Sequence, residues 1–264
     1  MEDIITLAEH RISKRYRKEI WRPFVAAIKQ YKLIVPNDRI AVCMSGGKDS
    51  ILLGVALRML QRYSDFPFEL QYIFMNPGFR DEVLGLIQKN MSLLGFSPHI
   101  FETDIMSVAE NAKSPCHVCA AMRRGHLYKT AQELNCNKIA LGHHMDDVAE
   151  TVLISMLFGG EFKTMLPKLT SLNYENMQLI RPLYLVREKH IIRWQNSLKI
   201  NSVTCECALN KKEDGGKRKL VKELLFNLEK SNPNIINNIF SSTQEVKLSQ
   251  LLSYKKDDIL QENF

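Results

Sequence analysis

The hydrophobic pattern changes its period repeatedly along the central part of the chain. Between residues 39 and about 158, short apolar runs alternate with longer amphipathic stretches. The short runs predict β-strands over 39–44, 69–75, 98–102 and 138–141. The stretches between them predict α-helices over 50–62, 81–94, 119–134 and 146–158. Strands that alternate with helices are typical of an α/β fold, here a doubly wound parallel sheet covered by helices.

The two flanks of this region have different patterns. The first 35 residues predict a helical appendage, which Pro23 would kink or divide. After Gly160 come a lysine-rich connection, an extended run over 179–183, a helix over 187–199, two helical stretches and a polar tail from about Tyr254 that we expect to be disordered. We therefore expect an appendage over 1–35, an α/β domain over 36–210 and a basic helical region over 211–264.

The composition and the N-terminal residues indicate where in the cell the protein is located. The chain has 264 residues, of which 45% are hydrophobic and 25% charged, so it is long enough to bury a substantial core. No apolar run approaches the roughly 18 residues of a membrane helix, and the start Met1-Glu2-Asp3 is acidic where a signal peptide would be basic. We therefore expect a cytoplasmic protein without a membrane partner.

The charge is positive and unevenly distributed. The net charge of +7 suggests a polyanionic partner such as a nucleic acid. One cluster lies near the N-terminus at helical spacing, with Lys14 and Arg17 beside it: Arg11, Arg15, Lys18 and Arg22. A second cluster brackets two glycines: Lys211, Lys212, Lys217, Arg218, Lys219 and Lys222. A solvated helix face and a solubilising loop explain either cluster equally well.

A glycine turn follows the first predicted strand and leads into a helix. The turn has the sequence Ser45-Gly46-Gly47-Lys48-Asp49-Ser50. Paired glycines let backbone N–H groups approach an anion, the helix N-terminus adds positive potential, and Lys48 adds a mobile charge. Asp49 could hold a magnesium ion against the phosphates. The sequence is not a Walker A loop, and an ordinary helix-capping turn is the simpler alternative.

Two further loops follow predicted strands and should lie at the same edge of the sheet. One has the sequence Gly142-His143-His144-Met145-Asp146-Asp147, and the other contains Asn76. Acidic residues at a helix start often act as caps, and alone we would favour that role for Asp146 and Asp147. Beside a phosphate loop, however, they could bind magnesium, while His143 could contact phosphate or substrate.

The six cysteines favour metal or redox chemistry over disulfides in a cytoplasmic protein. Cys43 lies in an apolar strand and Cys136 follows a helix, so we expect both to be buried thiols. Cys116 and Cys119 form a CxxC motif. A metal centre held by this motif needs further ligands, and the remaining candidates are Cys205 and Cys207. A closed zinc site, an iron–sulfur cluster and a redox dithiol remain open from spacing alone.

Several strings occur in a fixed order along most of the chain. They are SGGKDS, the PCxxC that starts at Pro115 with its RRG, ALGHHxDD from Ala140, FGG from Phe158, PKL from Pro167, IRPL from Ile180, and REK from Arg187. With these strings the chain resembles the tRNA 2-thiocytidine synthetases (TtcA-type) among the PP-loop ATP pyrophosphatases. The resemblance implies the HUP/PP-loop fold (adenine nucleotide alpha hydrolase-like), with ATP and Mg²⁺ bound in the domain over 36–210.

The resemblance also implies an oxygen-sensitive [4Fe-4S] cluster. In the family, the CxxC and a downstream cysteine hold it, which corresponds here to Cys116, Cys119 and Cys205. This chain departs from the family where a second CxxC is usual, because it has Cys205-Glu206-Cys207. Cys207 could therefore replace Cys205, join it as a fourth ligand or relay sulfur.

The resemblance implies a tRNA sulfurtransferase that activates a pyrimidine C2 carbonyl with AMP and then replaces its oxygen with sulfur. The loop from Ser45 to Ser50 would bind the phosphates of ATP, with Gly142 on the facing loop, and Asp49 with Asp146 or Asp147 would hold Mg²⁺. A cysteine desulfurase would supply sulfur, the basic surfaces would hold tRNA, and the chain would form a homodimer.

Three other functions are compatible with some of these motifs. The same adenylating chemistry could act on another tRNA base or on a small metabolite. A zinc-stabilised, nucleotide-binding regulatory module would also use the cysteines. Lysidine synthetase, a PP-loop relative without a cluster, leaves the CxxC motif unexplained.

Overall fold

A six-stranded sheet forms the centre of the computed structural model, which describes residues 3–105, 115–200, 214–256 and 259–263. The strands of this sheet are β1 (Arg39–Met44), β2 (Glu69–Asn76), β3 (His99–Glu102), β4 (Lys138–Ala140), β5 (Lys168–Thr170) and β6 (Gln178–Ile180). Their spatial order is β3-β2-β1-β4-β6-β5. Neighbours pair in parallel, except that β5 is antiparallel to β6. The predicted doubly wound α/β fold is therefore confirmed.

Helices cover both faces of this sheet. In the described part of the chain they are α1 (Ile4–Ser13), α2 (Arg22–Gln30), α3 (Lys48–Tyr63), α4 (Asp81–Leu93), α5 (Pro115–Glu133), α6 (Met145–Gly159), α7 (Glu188–Leu198), α8 (Asp214–Ser231) and α9 (Ile235–Ser242). The side chains of β1 alternate between two cores: Val42 packs with helices α1 to α4 and α7, whereas Ala41 packs with Tyr128 of α5. Because both faces are buried, β1 is apolar almost throughout.

The four predicted strands agree with the structure to within one residue. The extended run predicted over 179–183 corresponds to β6 but ends three residues later, and α5 begins four residues before its predicted start at Cys119. The strand order reverses beside β1. The chain passes from β1 outward to β2 and β3, then returns to the other side of β1 to form β4. The loops after β1 and β4 lie side by side at this switch point, at the carboxyl edge of the sheet, where ligands bind in such folds.

A buried ion pair fixes β1 to β4 at the opposite edge of the sheet. The Lys138 ammonium lies 2.6 Å from Asp38 Oδ2 and donates to the carbonyl of Leu33. Asn137 Nδ2 donates to the other carboxylate oxygen of Asp38, and Val35 N–H donates to Oδ2. Both charged side chains are almost fully buried, so these hydrogen bonds compensate for the loss of hydration.

The N-terminal helices belong to the main core, although the sequence predicted an appendage. Ala8, Ile12 and Phe24 pack in the same core as β1, and Trp194 Nε1 of α7 donates to the carbonyl of Ala8. The predicted basic stripe assumed one regular helix, and this assumption is wrong. α1 ends at Ser13 and a π-helical turn spans Arg17–Trp21, so the α-helical spacing does not continue across the cluster.

The other differences concern short strands. β5 lies in the predicted lysine-rich connection and has only three residues, too few for a periodic pattern. Where the sequence predicted a disordered tail, the structure has two antiparallel strands, β7 (Ser253–Lys256) and β8 (Ile259–Glu262). None of the described helices is long and apolar enough to cross a membrane. The division into three segments stays a prediction.

Candidate active site

The glycine turn lies at the carboxyl end of β1 and starts α3 at Lys48. Gly46 has a φ of +78°, and a Cβ atom on it would lie 2.7 Å from Ile87 Cγ1 of α4. Only glycine fits this position without strain. Among the described residues, the N–H groups of Gly46 and Gly47 have no hydrogen-bond acceptor. Together with the first turn of α3 they fit an anion such as a phosphate.

The two serines of the turn hold its shape. Ser50 Oγ donates to the carbonyl of Gly47 at 2.9 Å and accepts hydrogen bonds from the N–H and the hydroxyl of Ser45. Ser50 is buried. These contacts give both hydroxyls a bracing role, and the phosphate binding that the sequence predicted for the two residues stays a prediction.

Lys48 is held between two carboxylates. Its Nζ lies 3.0 Å from Asp49 Oδ2 and 2.9 Å from Glu188 Oε1 at the start of α7. Burial acts to lower the pKa of Lys48, but the charges of Asp49 and Glu188 outweigh it, so the pKa is raised. Lys48 therefore carries a full positive charge at neutral pH.

Glu188 is a central residue of the site that sequence reasoning did not select. Burial acts to raise its pKa, but hydrogen bonds and charges from Lys222 and Lys48 lower it to about 2. Its only sequence signal was its position in the REK string, at the start of a predicted helix. The contact with Lys48 spans 140 positions, which spacing along the chain cannot reveal.

The loop after β4 contacts the glycine turn through its backbone. A Cβ atom on Gly142 would lie 3.0 Å from the carbonyl carbon of Asp49, so the absence of a side chain permits this approach. His144 caps α6: its Nδ1 accepts from Asp147 N–H, and its own N–H donates to Asp147 Oδ2. The prediction that the two loops meet at one site is confirmed.

The two acidic residues of this loop are already engaged. Asp146 accepts hydrogen bonds from the Arg187 guanidinium at 3.1–3.2 Å and from Glu188 N–H at 2.7 Å. Asp147 uses Oδ2 in the capping box. Asp147 therefore has the helix-capping role that was considered from sequence, whereas Asp146 fixes the start of α7. Binding of Mg²⁺ by either residue stays a prediction.

Asp49 provides a carboxylate oxygen that fits a metal ion. Its Oδ1 is buried and has no hydrogen-bond partner in the described part of the chain, and His144 Nε2 lies 3.7 Å away. Among the described side chains, no three potential ligands group together as a metal site. A single carboxylate is compatible with Mg²⁺, which often takes its other ligands from water and substrate phosphates.

His143 lies on the same loop as a neutral group. Its Nδ1 is buried without a hydrogen-bond partner among the described residues. Burial, supported by the positive charges of Arg181 and Arg218, lowers its pKa to about 4 although Asp147 opposes the shift. At neutral pH His143 can therefore offer a hydrogen bond to a ligand but not a positive charge.

Asn76 shapes the third loop at this edge. Its side-chain oxygen accepts hydrogen bonds from the N–H groups of Gly78 and Phe79, and its carbonyl accepts from Thr103 N–H. Asn76 is buried at the end of β2, next to the strand that carries the glycine turn. Its direct contact with a nucleotide stays a prediction.

The predicted cluster ligands fall largely outside the description. Cys116 and Cys119 lie in the first turns of α5, but their side chains and all of Cys205 are outside the described residues. Cys43 and Cys136 are buried free thiols, as predicted. Burial raises the pKa of Cys43 strongly and that of Cys136 to about 11, so neither provides a thiolate at neutral pH.

A glycine turn at the switch point of a parallel sheet, with Lys48 and a facing carboxylate, defines a nucleotide-binding α/β protein of the PP-loop class. The family model described as a PP-loop domain matches residues 16–214. The chain belongs to this family.

Similar proteins share most of the chain. A protein named tRNA-cytidine(32) 2-sulfurtransferase from Alcanivorax borkumensis is 36% identical over 92% of this chain and 84% of its own length. A protein of the same name from Neisseria meningitidis is 37% identical over 93% of this chain and 76% of its own length. Within the PP-loop family, the chain therefore belongs to the tRNA 2-thiocytidine synthetase (TtcA-type) branch. The U34-tRNA thiolase NcsA from Methanococcus maripaludis, solved with its [4Fe-4S] cluster, has the same fold, with a TM-score of 0.68 at 23% identity over 86% of this chain and 81% of that one.

The substitution Gly46→Ala tests the glycine turn. We expect ATP affinity to fall at least about tenfold, because a methyl group at this φ strains the backbone and meets Ile87. Isothermal titration with a non-hydrolysable ATP analogue measures the change. Gly85→Ala is the matched control, since nothing lies within 4 Å of its Cβ position. Equal affinity in both variants would show that the turn does not bind the phosphates.

A buried carboxyl adjoins the site on α6. Glu150 is 4% exposed and lies 3.1 Å from the Arg218 guanidinium of α8. Burial and the charge of Asp147 raise its pKa to about 7, although Arg218 opposes the shift. A raised pKa in the folded state means that the native protein binds this proton more tightly than the unfolded chain does. Its contribution to stability is therefore complete below about pH 4.5 and lost as the pH rises through about 7.

The substitution Glu150→Gln tests this ionisation. We expect it to increase the free energy of unfolding at pH 8 by about 2 kcal/mol, with little change near pH 4.5, because glutamine remains neutral. Urea denaturation across this pH range measures the effect, and Glu223→Gln, at an exposed position of α8, is the control. A pH-independent difference between wild type and variant would contradict the assignment.

Proposed function

We propose that this protein is an ATP-dependent tRNA sulfurtransferase that adenylates the C2 carbonyl of a cytidine in the anticodon loop and replaces its oxygen with sulfur. The single observation that carries the proposal is the similarity of the chain to relatives named tRNA-cytidine(32) 2-sulfurtransferase, with which it shares 36–38% identity. The same chain contains both the glycine turn and the CxxC motif that this activity would use. Cytosine gives up its C2 oxygen only after that oxygen has become a good leaving group.

The described side chains fit the activation step. The glycine turn and the start of α3 would bind the phosphates, and Lys48 would neutralise part of their charge. The carbonyl oxygen of cytosine would attack the α-phosphorus, and pyrophosphate would leave. Asp49 Oδ1 is the oxygen best suited to hold Mg²⁺, which when bound neutralises phosphate charge. AMP would later leave with the original oxygen as sulfur bonds to C2.

Cys116, Cys119 and Cys205 are the proposed cluster ligands. A CxxC at the start of α5 lies in the same domain as the nucleotide site, and the chemistry of three thiolates suits a [4Fe-4S] cluster with one iron left open. When bound, such a cluster supplies a position for the incoming sulfur. Cys207 remains the alternative third ligand or a fourth one.

Two basic surfaces support tRNA as the substrate. Near the N-terminus, several side chains are exposed: Lys14, Arg15, Arg17, Lys18 and Arg22. On α8, Arg218 and Lys222 are half exposed while they pair with Glu150 and Glu188. These positive charges suit phosphodiester groups. A cytoplasmic location, a cysteine desulfurase as sulfur donor and a homodimer complete the proposal, together with the segment division at residues 35 and 210.

Nucleoside mass spectrometry of tRNA tests the function as a whole. Deletion of the gene should remove 2-thiocytidine from tRNA, and complementation with the intact gene should restore it. Loss of a different thiolated nucleoside would identify another target base. A complete set of thiolated nucleosides in the deletion strain would overturn the tRNA proposal in favour of a small-molecule substrate or a regulatory module.

The substitution Cys116→Ala separates sulfur transfer from nucleotide binding. We expect thiolation to be abolished, because one cluster ligand is lost, while ATP affinity stays within about twofold of wild type. Anaerobic purification with iron and zinc analysis accompanies the activity assay. Cys136→Ala is the control, since this buried thiol packs in the core around Ile139. Unchanged thiolation, or a colourless protein with stoichiometric zinc, would refute the cluster assignment.

A further inference from the structure

The carboxylate of Glu188 is shared by two lysines from distant parts of the chain. Lys48 of the glycine turn lies 2.9 Å from Oε1. Lys222 of α8 lies 2.9 Å from Oε1 and 2.7 Å from Oε2, so it contacts both oxygens. Glu188 thus connects the C-terminal basic region with the lysine that we assign to the phosphates.

The backbone of Glu188 is held at this position by Asp146. Its backbone N–H donates to Asp146 Oδ2 at 2.7 Å, and the neighbouring Arg187 binds the same carboxylate. The start of α7 is therefore fixed against α6. The carboxylate of Glu188, paired with Lys48 and Lys222, lies beside the glycine turn. There its negative charge would repel incoming phosphates unless a cation compensates it.

Lys222 supplies the compensating charge. The charges of Lys48, Asp49, Glu188 and Lys222 sum to zero. Without Lys222 the same group carries a net charge of −1, and Lys48, the one remaining cation of these four side chains, would be shared between Glu188 and the incoming phosphates.

We propose that Lys222 is a positioning residue for ATP binding: it neutralises Glu188 and thereby releases Lys48 to bind the phosphates. The inference rests on the proposed function, because it assumes that ATP binds at the glycine turn. It also gives α8 a role in the nucleotide site that is separate from contact with tRNA.

Contacts other than those of Lys222 hold α8 in its position. Val221 and Leu225 pack in a core with Ala149 of α6, and Glu229 pairs with Arg187 and Lys189. A change at the half-exposed Lys222 side chain should therefore remove a charge without displacing the helix.

Titration calorimetry with a non-hydrolysable ATP analogue and Mg²⁺ tests the proposal. We expect Lys222→Met to weaken affinity about tenfold, which corresponds to about 1.4 kcal/mol. Lys222→Arg, which keeps the charge, should stay within about threefold of wild type. Lys230→Met removes the same charge from the same helix, where Lys230 contacts only Asn227 and Phe226 among the described residues, and should leave affinity unchanged.

A double variant distinguishes charge compensation from a structural role. If Lys222 acts by neutralising Glu188, the combination Glu188→Gln with Lys222→Met should recover affinity to within about threefold of wild type. The loss caused by Lys222→Met alone should also shrink as salt rises, because half-exposed charges are screened. A purely structural role predicts neither result.

The outcomes separate this inference from the function on which it rests. Wild-type protein that fails to bind the analogue would overturn both. Wild-type binding together with equal binding by Lys222→Met would overturn the inference alone, and so would a double variant as weak as Lys222→Met. The proposed tRNA thiolation would stand in both of these last cases.

Discussion

The close approach of two backbone loops at the carboxyl edge of β1 and β4 is the constraint on which the site depends. Gly142 lies against the backbone of Asp49 without space for a side chain. This contact places the capped start of α6 beside the start of α3, and Asp146 then draws the start of α7 to the same point. Three helix N-termini therefore converge on one crevice, where their dipoles favour bound anions.

The charged side chains in the crevice form a connected set rather than separate pairs. Asp146 links α6 to Arg187, Glu229 links Arg187 to α8, and Glu188 links α8 to Lys48. In a partly buried site such a set is costly unless its members are matched and hydrogen-bonded. Among the described residues, this arrangement leaves few buried polar atoms without a hydrogen-bond partner. Asp49 Oδ1 and His143 Nδ1 are two of them. They are well placed to receive a ligand.

The sequence predicted the fold well because periodicity and glycine positions are local signals. The strands of the parallel sheet and the meeting of the two loops follow from runs of apolar residues and from the order of the motifs. The roles of individual side chains were less predictable. Ser50 braces the turn and Asp146 binds Arg187, while Glu188 was missed, because each role depends on partners that only the folded chain brings together. The prediction that the N-terminal basic residues share one helix face was wrong, because local periodicity cannot show that a helix ends at Ser13.

The buried pair of Asp38 and Lys138 has a consequence for the order in which the protein assembles. The two residues are 100 positions apart, and their strands must pair before the two loops can meet. Closing so long a stretch of chain is entropically costly and slow compared with forming a helix or a local turn. During synthesis, the glycine turn therefore emerges well before its partner loop, and α8 emerges later still. A nascent chain therefore carries the glycine turn before the residues that complete the site around it have emerged.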